Sequence, residues 1–511
     1  MNAGIITPYR PRVRPGHSGF AQLLHSEWTK LRTVRGWIIG LLLVPVMTVG
    51  FGAFISSSSE CGSMAPGPAG QLVSVPCTAP VGPGGGLVED QFYFVHQPVA
   101  GNGTITARVT ALTSSSLQPW AKAGVIIKAN TAQGSAYAAM MVTGAHGVRM
   151  QWNYTQDTPG MTGPVSAASP RWLRLVRSGD TVTGYDSADG LRWNRVGTVT
   201  LAGLPTTVQA GMFATSPQPS SGAQRQEAGH AIAVTGTLDH AGVAGAAAGR
   251  WEGTSVGARP IAGGPAGFQQ TASGFAVTGN GDIAPDVGSG AGSTGTPVSH
   301  TLAGLFLGLI VAIVIGAMFV TAEYRRGMIR TTLTASPGRG RVLAAKATVA
   351  GAVTFAGALI GCAISVPLGE RLLRDHGNVI EPVSALTAVR VVAGTALVFT
   401  AAAVLAVALG VIFRRGAAAV TTAIVVIVIP WFLAVSSPAL STTAADWLLR
   451  VFPSAALAVQ QTFPRYPQVN SPYHPFDGFY PLSAWAGFAV LLAWTGAALW
   501  LAVFLLRRRD A

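Results

Sequence analysis

Glu323-Tyr324-Arg325-Arg326-Gly327-Met328-Ile329-Arg330 follows directly on an apolar run, Thr301–Ala322, and a further apolar run begins soon after it at Val342. About 20 apolar residues are enough to cross the roughly 30 Å hydrocarbon layer of a bilayer as a helix. The octet therefore reads as a polar, arginine-rich element lying between two membrane helices. Working outward from it, the same length criterion picks out Gly36–Ile55, Val342–Leu368, Thr387–Phe413, Ala417–Ser437 and Leu482–Leu506. Only 11% of the residues are charged. The expected fold is an α-helical membrane protein with six transmembrane helices and a long insertion between the first two.

The formal net charge of +14 would fit a nucleic-acid binder if it were spread over one surface. It is instead grouped beside the apolar runs: Arg10, Arg12 and Arg14; Lys30, Arg32 and Arg35; Arg325, Arg326, Arg330, Arg339 and Arg341; Arg414 and Arg415; Arg507, Arg508 and Arg509. With Met1 in the cytoplasm, six crossings put every group on the inner side, as the positive-inside rule demands. This predicts a multi-pass protein with both termini cytoplasmic and the insertion extracellular, and no nucleic-acid partner. Gly36–Ile55 starts late and is long for a cleaved signal, so it reads as a retained anchor. Ahead of it, Phe20, Leu23, Leu24, Trp28 and Leu31 recur at helical spacing, with Lys30 and Arg32 toward the bilayer. That pattern predicts an amphipathic interface helix, so residues 1–55 comprise this helix and the first span.

Residues 56–86 are rich in Ser, Gly and Pro and read as a linker. Cys61 and Cys77 lie in it, placed to form a disulfide in an oxidising compartment, while Cys362 falls inside the third span. From 87 to 298 the pattern changes to short alternating segments. Thr104–Val109, Ala123–Lys128, Tyr137–Thr143, Val148–Tyr154, Trp172–Arg177, Thr181–Asp186 and Gln209–Ala214 are the clearest strands. Ser178-Gly179-Asp180 and Ala188-Asp189-Gly190 supply tight turns, and Arg250–Val256 and Gly274–Thr278 supply edges. This predicts an inserted all-β antiparallel sandwich. Residues 299–511 then carry spans two to six, with the polar element over 323–341.

Several chemistries have no residues to carry them. The phosphate-cradling G-x-x-x-x-G-K-[ST] loop is missing, so ATP, if used, must be bound by another subunit. No H-E-x-x-H helix or Cys/His array marks a catalytic or metal site. With 20 Asp and Glu in the whole chain, no acid–nucleophile carboxylate pair stands out for glycoside hydrolysis. The chain is expected to hold no cofactor and to be no enzyme. Three G-x-x-x-G pairs, Gly36/Gly40, Gly304/Gly308 and Gly357/Gly361, fit close helix packing.

Two resemblances extend this reading. Glu27-Trp28-Thr29-Lys30-Leu31-Arg32, together with Glu323-Tyr324-Arg325…Gly327-Met328-Ile329-Arg330 and the re-entry at Pro337, Arg339, Arg341 and Lys346, resembles the permease subunits of type-2 ABC exporters, particularly actinobacterial ones. The resemblance implies a bacterial plasma-membrane protein on which an ATP-binding-cassette ATPase subunit, carrying the ATP, docks. The docking residues implied are Glu323, Tyr324, Arg325, Arg326, Gly327, Ile329 and Arg330, with Glu27, Trp28, Lys30, Leu31 and Arg32 on the interface helix. Glu323 is expected to pair with Arg326 or Arg330 along one face, with Ile329 as an apolar key. A second permease copy, identical or paralogous, is implied, as is an amphipathic substrate such as a lipid, peptide or antibiotic. Asp446–Ala456 resembles the re-entrant external hairpin of the same family.

The sandwich is similar to concanavalin-like, laminin-G-type jelly rolls through Asp90-Gln91-Phe92-Tyr93-Phe94, Gln118–Val125, Pro170–Leu175 and Tyr185–Trp193. Relatives of that fold bind glycans, which makes Trp120, Trp152, Tyr154 and Trp193 a possible stacking platform for cell-wall glycan, although strand aromatics more often pack into a core. The competing reading is a membrane-anchored surface receptor for such glycan without transport activity. One span would suffice for that, and the other five argue against it.

Overall fold

The computed structural model describes residues 19–60, 62–66, 72–76, 79–217, 232–247, 249–257, 266–272, 274–287, 295–335, 338–436, 440–469, 473 and 475–508. Six helices in it are long and apolar enough to cross a membrane: Arg35–Ser58, Leu305–Arg325, Arg339–Asp375, Ala385–Phe413, Gly416–Ser436 and Ala484–Arg508. All six expected runs are found, with shifted ends. The second starts late because Val298–Leu302 is wound as a tighter 3-10 turn. The third has 37 residues, which at 1.5 Å per residue is about 55 Å, well over the roughly 30 Å that a crossing needs, and its C-terminal end carries Arg371 and Arg374. The fifth is interrupted at Val428, where Pro430 removes a backbone donor from the following turn.

Ala385–Phe413 is the axis of the bundle. Its Ala396, Phe399, Ala402, Leu405 and Ala406 are buried against Leu309, Ala312 and Ile313 of the second span and Leu491 of the sixth. The first two spans meet through small residues. A Cβ on Gly304 or Gly308 would run into the backbone oxygen or the hydroxyl of Thr48, and one on Gly361 would lie 3.0 Å from Pro45 Cα. Two of the three expected glycine pairs thus serve close approach, whereas Gly36 faces open space. Between the fifth and sixth spans, Thr442–Val451 is helical and Pro453–Gln460 forms a buried 3-10 segment packed on the sixth span.

The insertion folds as a thirteen-stranded antiparallel structure. Phe92–Thr113 is the strand that makes it a sandwich. Its first half pairs with Thr207–Thr215 and Glu252–Val256, its second with Arg171–Ser178 and Val234–Ala247. The change of sheet falls at Gly101, whose φ of 65° is left-handed backbone that glycine adopts without a Cβ penalty. From the first half the sheet continues through Lys122–Lys128, Tyr137–Thr143, Val148–Trp152 and Gln156–Pro159. From the second it continues through Thr181–Ser187 and Asn194–Thr200 on one side, and Gly274–Gly279 and Gly267–Thr271 on the other. Val95, Ile105, Val125, Met140, Leu173 and Leu175 fill the space between the sheets.

All seven residues of Lys122–Lys128 are buried. Strand side chains alternate between faces, so both faces of this sheet are covered. The outer cover is the pair Val88–Asp90 and Ile283–Pro285, the two stretches through which the insertion joins the membrane helices, and it packs with Tyr154 over Phe92, Phe94, Ile126, Tyr137 and Phe213. Lys122 and Lys128, six residues apart and hence on one face, hold this cover with buried ion pairs of 2.7 Å to Asp282 and Asp90 respectively. Asp90 also accepts hydrogen bonds from the Tyr154 hydroxyl and the Gly134 amide. Burial outweighs Asp90 and pulls the Lys128 pKa down.

The sandwich sits against the loops at one end of the bundle. Gln468 Nε2 donates to the carbonyls of Tyr154 and Thr155, at 3.3 and 3.0 Å. Val287 packs with Phe463 and Phe479, and Gly295–Thr296 pairs with Val379–Ile380. Asn378 donates to the carbonyl of Ser59 and Thr462 to the Glu381 carboxylate. The expected Cys61–Cys77 disulfide lies outside the described residues, and Cys362 is a buried free thiol.

Candidate functional site at the charged end of the bundle

Opposite the sandwich, the ends of several helices converge. Phe20–Thr33 forms the expected short helix, but the face it buries is Leu24, Glu27 and Leu31 rather than one containing Phe20 and Trp28, which are exposed. Leu24 and Leu31 join Phe319, Val320 and Leu343 in an apolar cluster. Glu27 is carried inward between them, 1% exposed.

That placement assembles a group the sequence did not show. Lys346, in the third span and 2% exposed, lies 2.7 Å from Glu27 Oε2 and 2.6 Å from Glu323 Oε1. Lys30 closes the ring, at 2.7 Å from Glu27 Oε1 and 3.1 Å from Glu323 Oε1. Burial lowers the Lys30 pKa, but the two carboxylates outweigh it and the net shift is upward. Two negative and two positive charges thus bind the interface helix, the end of the second span and the start of the third. Lys346 also stands over the Phe319 ring at 5.2 Å, within cation–π range.

The expected pairing of Glu323 with Arg326 or Arg330 is therefore corrected. Glu323 points into the bundle, 6% exposed, because a buried carboxylate needs a counter-charge and two lysines provide it. Arg325, Arg326 and Met328 remain exposed, Ile329 is buried, and Arg330 has no described side chain. Gly327, at φ 69°, ends the second span, its amide donating to Tyr324 O, and so turns the chain into the separate helix Met328–Ala335. On the interface helix, Trp28 and Arg32 are exposed while Leu31 is buried. Sequence reasoning placed Lys346 only at a re-entry. The signal that points to it is a lone lysine inside an apolar run, a costly position that asks for partners.

The aromatic platform does not form. Trp152 packs against the core between the sheets, Tyr154 is buried in the outer cover, and Trp120 is buried against His146. Trp193 lies elsewhere, stacked on Arg174 at 3.7 Å. Alternation and the course of the loops send the four rings to different surroundings. Among the described residues no His, Cys, Asp and Glu group is arranged to hold a metal.

Six membrane-length helices, a charged end that ties an amphipathic helix to the second and third of them, and a large insertion at the other end describe a membrane-integral subunit. The chain belongs to the ABC-2 family transporter protein family, whose model matches residues 22–511. Proteins of this family are the membrane subunits of ATP-binding-cassette transporters, not the ATPase itself, and the family implies an ATP-binding-cassette partner. No curated protein matches significantly.

Several solved structures are similar to part of the chain. A functionally unknown protein from Saccharomyces cerevisiae has 12% identity and a TM-score of 0.22, covering 37% of this chain and 84% of its own. Scytalido-glutamic peptidase with a transition state analog inhibitor has 10% identity and a TM-score of 0.25, covering 38% and 98%. Sheep galectin-11 has 12% and 0.17, covering 24% and 92%. Likenesses this weak carry no functional argument.

Proposed function

We propose that this chain is the permease subunit of an exporter, driven by ATP hydrolysed on a separate subunit, and that it moves an amphipathic substrate across the bacterial plasma membrane. The charged end faces the cytoplasm in this reading, since the basic groups gather there, and the sandwich is extracellular. The ATPase subunit docks on the exposed side of Tyr324–Arg330, chiefly Arg325, Arg326 and Met328, and on Trp28 and Arg32 of the interface helix. A second permease, a copy or a paralogue, completes the path. The substrate class, whether lipid, peptide or antibiotic, rests on the family.

The observation that carries the proposal is the ring of Glu27, Lys30, Glu323 and Lys346. A motor that pushes a short helix moves membrane spans only if the contact is stiff. Buried ion pairs penalise any displacement, because separating one partner leaves an uncompensated charge. Glu323 and Glu27 thus act as positioning residues beneath the docking surface.

Co-purification tests the proposal. The tagged wild-type chain should retain an ATPase subunit from its native membrane, and Arg326→Glu should release it while leaving the chain folded. If the wild-type chain brings down no ATPase, the exporter reading fails.

A further inference from the structure

Beside the docking element, a cleft of about 800 Å³ opens between the end of the second span and the start of the fifth. That volume lies within the roughly 300–1,000 Å³ usual for small-molecule sites. Its composition is divided along the helix axes. Toward the end of the bundle it is lined by Tyr324, Arg325, Arg414 and Arg415, and deeper by Met318, Ala322, Ala417 and Val420 with Thr321 and Thr421 among them, a mainly apolar wall. Arg414 stands 5.5 Å from the Tyr324 ring centroid and occupies left-handed backbone at φ 57° where the fourth span ends. Arg325 and Arg415 are exposed, and neither forms an ion pair among the described residues. Glu323, the nearest acid along the chain, is turned away and held by two lysines.

We propose that this cleft binds an anionic phospholipid of the leaflet on the charged side, its phosphate on the arginines and its acyl chain along Met318 and Val420. Planar guanidinium groups form paired, charge-assisted hydrogen bonds to phosphate. An apolar wall continuing into the bilayer, directly below a cationic rim, has the order of a lipid's own groups. A soluble anion would use the rim and leave the wall wet. The cleft shares Arg325 with the proposed docking surface, but lipid binding by the purified chain needs no ATPase subunit, so the proposal stands or falls independently of the exporter reading.

The test uses the full-length chain in neutral detergent, with bound lipid counted by native mass spectrometry. The probes are phosphatidylglycerol, phosphatidylcholine and inorganic phosphate. Wild type should bind phosphatidylglycerol at least about tenfold more tightly than phosphatidylcholine. Arg325→Gln combined with Arg415→Gln should remove that preference, losing about tenfold or more as the charge-assisted bonds of both arginines disappear. Arg374→Gln, at the opposite end, should leave it intact. Arg415→Gln alone, at an exposed position, provides the same readout should the double variant not fold. Val420→Ser should weaken the lipid and not phosphate. An unchanged preference in the arginine variants overturns the proposal. So does phosphate displacing the lipid at equal concentration, which would make the cleft a free-anion site.

Discussion

Replacing Lys346 by methionine removes the more deeply buried of the two lysines that touch both Glu27 and Glu323 and nearly keeps its length. Lys346 is 2% exposed and its ammonium lies within 2.7 Å of a carboxylate on either side. The variant leaves two carboxylates with only Lys30 between them, and Glu323 Oε2 already lacks a hydrogen-bond partner among the described residues. Breaking a buried ion pair from one side costs about 3–5 kcal/mol, most of it the stranded charge. Lys346→Met should therefore lower stability by about that amount. Adding Glu27→Gln and Glu323→Gln should restore most of it, since an uncharged replacement strands nothing. Equilibrium unfolding of the purified chain, followed by tryptophan fluorescence, would measure each step. A double-mutant cycle between Glu27 and Lys346 should show a coupling of about 0.5–3 kcal/mol. Additive effects within about 0.5 kcal/mol would refute the claim that these charges act as one unit. In transport, Lys346→Met should retain the ATPase subunit yet turn over ATP with less export, because the docking surface survives and its stiff link does not.

Gly308→Ala should destabilise the packing of the first two spans by about 1–3 kcal/mol, as its Cβ would meet the Thr48 hydroxyl; Thr48→Ala in the same chain should relieve part of this, read as recovery of the unfolding midpoint. Lys128→Met should loosen the tethers from the sandwich at a cost of about 3–5 kcal/mol, seen as protease cutting near residue 90, and Asp90→Asn in addition should reverse much of it. At Glu381, burial raises the carboxyl pKa from 4.5, with the Thr462 hydroxyl opposing and Asp286 adding to it. The folded chain thus holds this proton more tightly than the unfolded one, so the stabilisation is complete below 4.5 and is lost as pH rises through the folded value. The pH slope of stability in that window should flatten in Glu381→Gln, and an unchanged slope would show that another group titrates there.

Length and hydropathy were enough to find six spans, because crossing hydrocarbon imposes a near-continuous apolar run that few other structures need. The missing phosphate loop and the Glu-Tyr-Arg element pointed to a membrane subunit that relies on a partner. Strands such as Tyr137–Thr143 were legible from local pattern. Asn194–Thr200, exposed on much of its length, and the full extent of Phe92–Thr113 were not, since the latter is covered on both faces in its first half and on one in its second, which blurs the alternation. The glycan platform failed for a related reason: four aromatic residues carry no record of which face each will occupy.

The site shows the division most clearly. Sequence alone determined that Glu27, Lys30, Glu323 and Lys346 lie at the ends of apolar helices or within them. Only the tertiary structure decided that they meet. Glu27 and Lys346 are 319 positions apart, with the whole sandwich between them in the chain. Nothing local distinguishes a glutamate facing a partner protein from one facing two lysines. The choice is made by helix rotation about the apolar contacts of Leu31, Phe319 and Leu343, and by the cost of burying a carboxylate without its counter-charge.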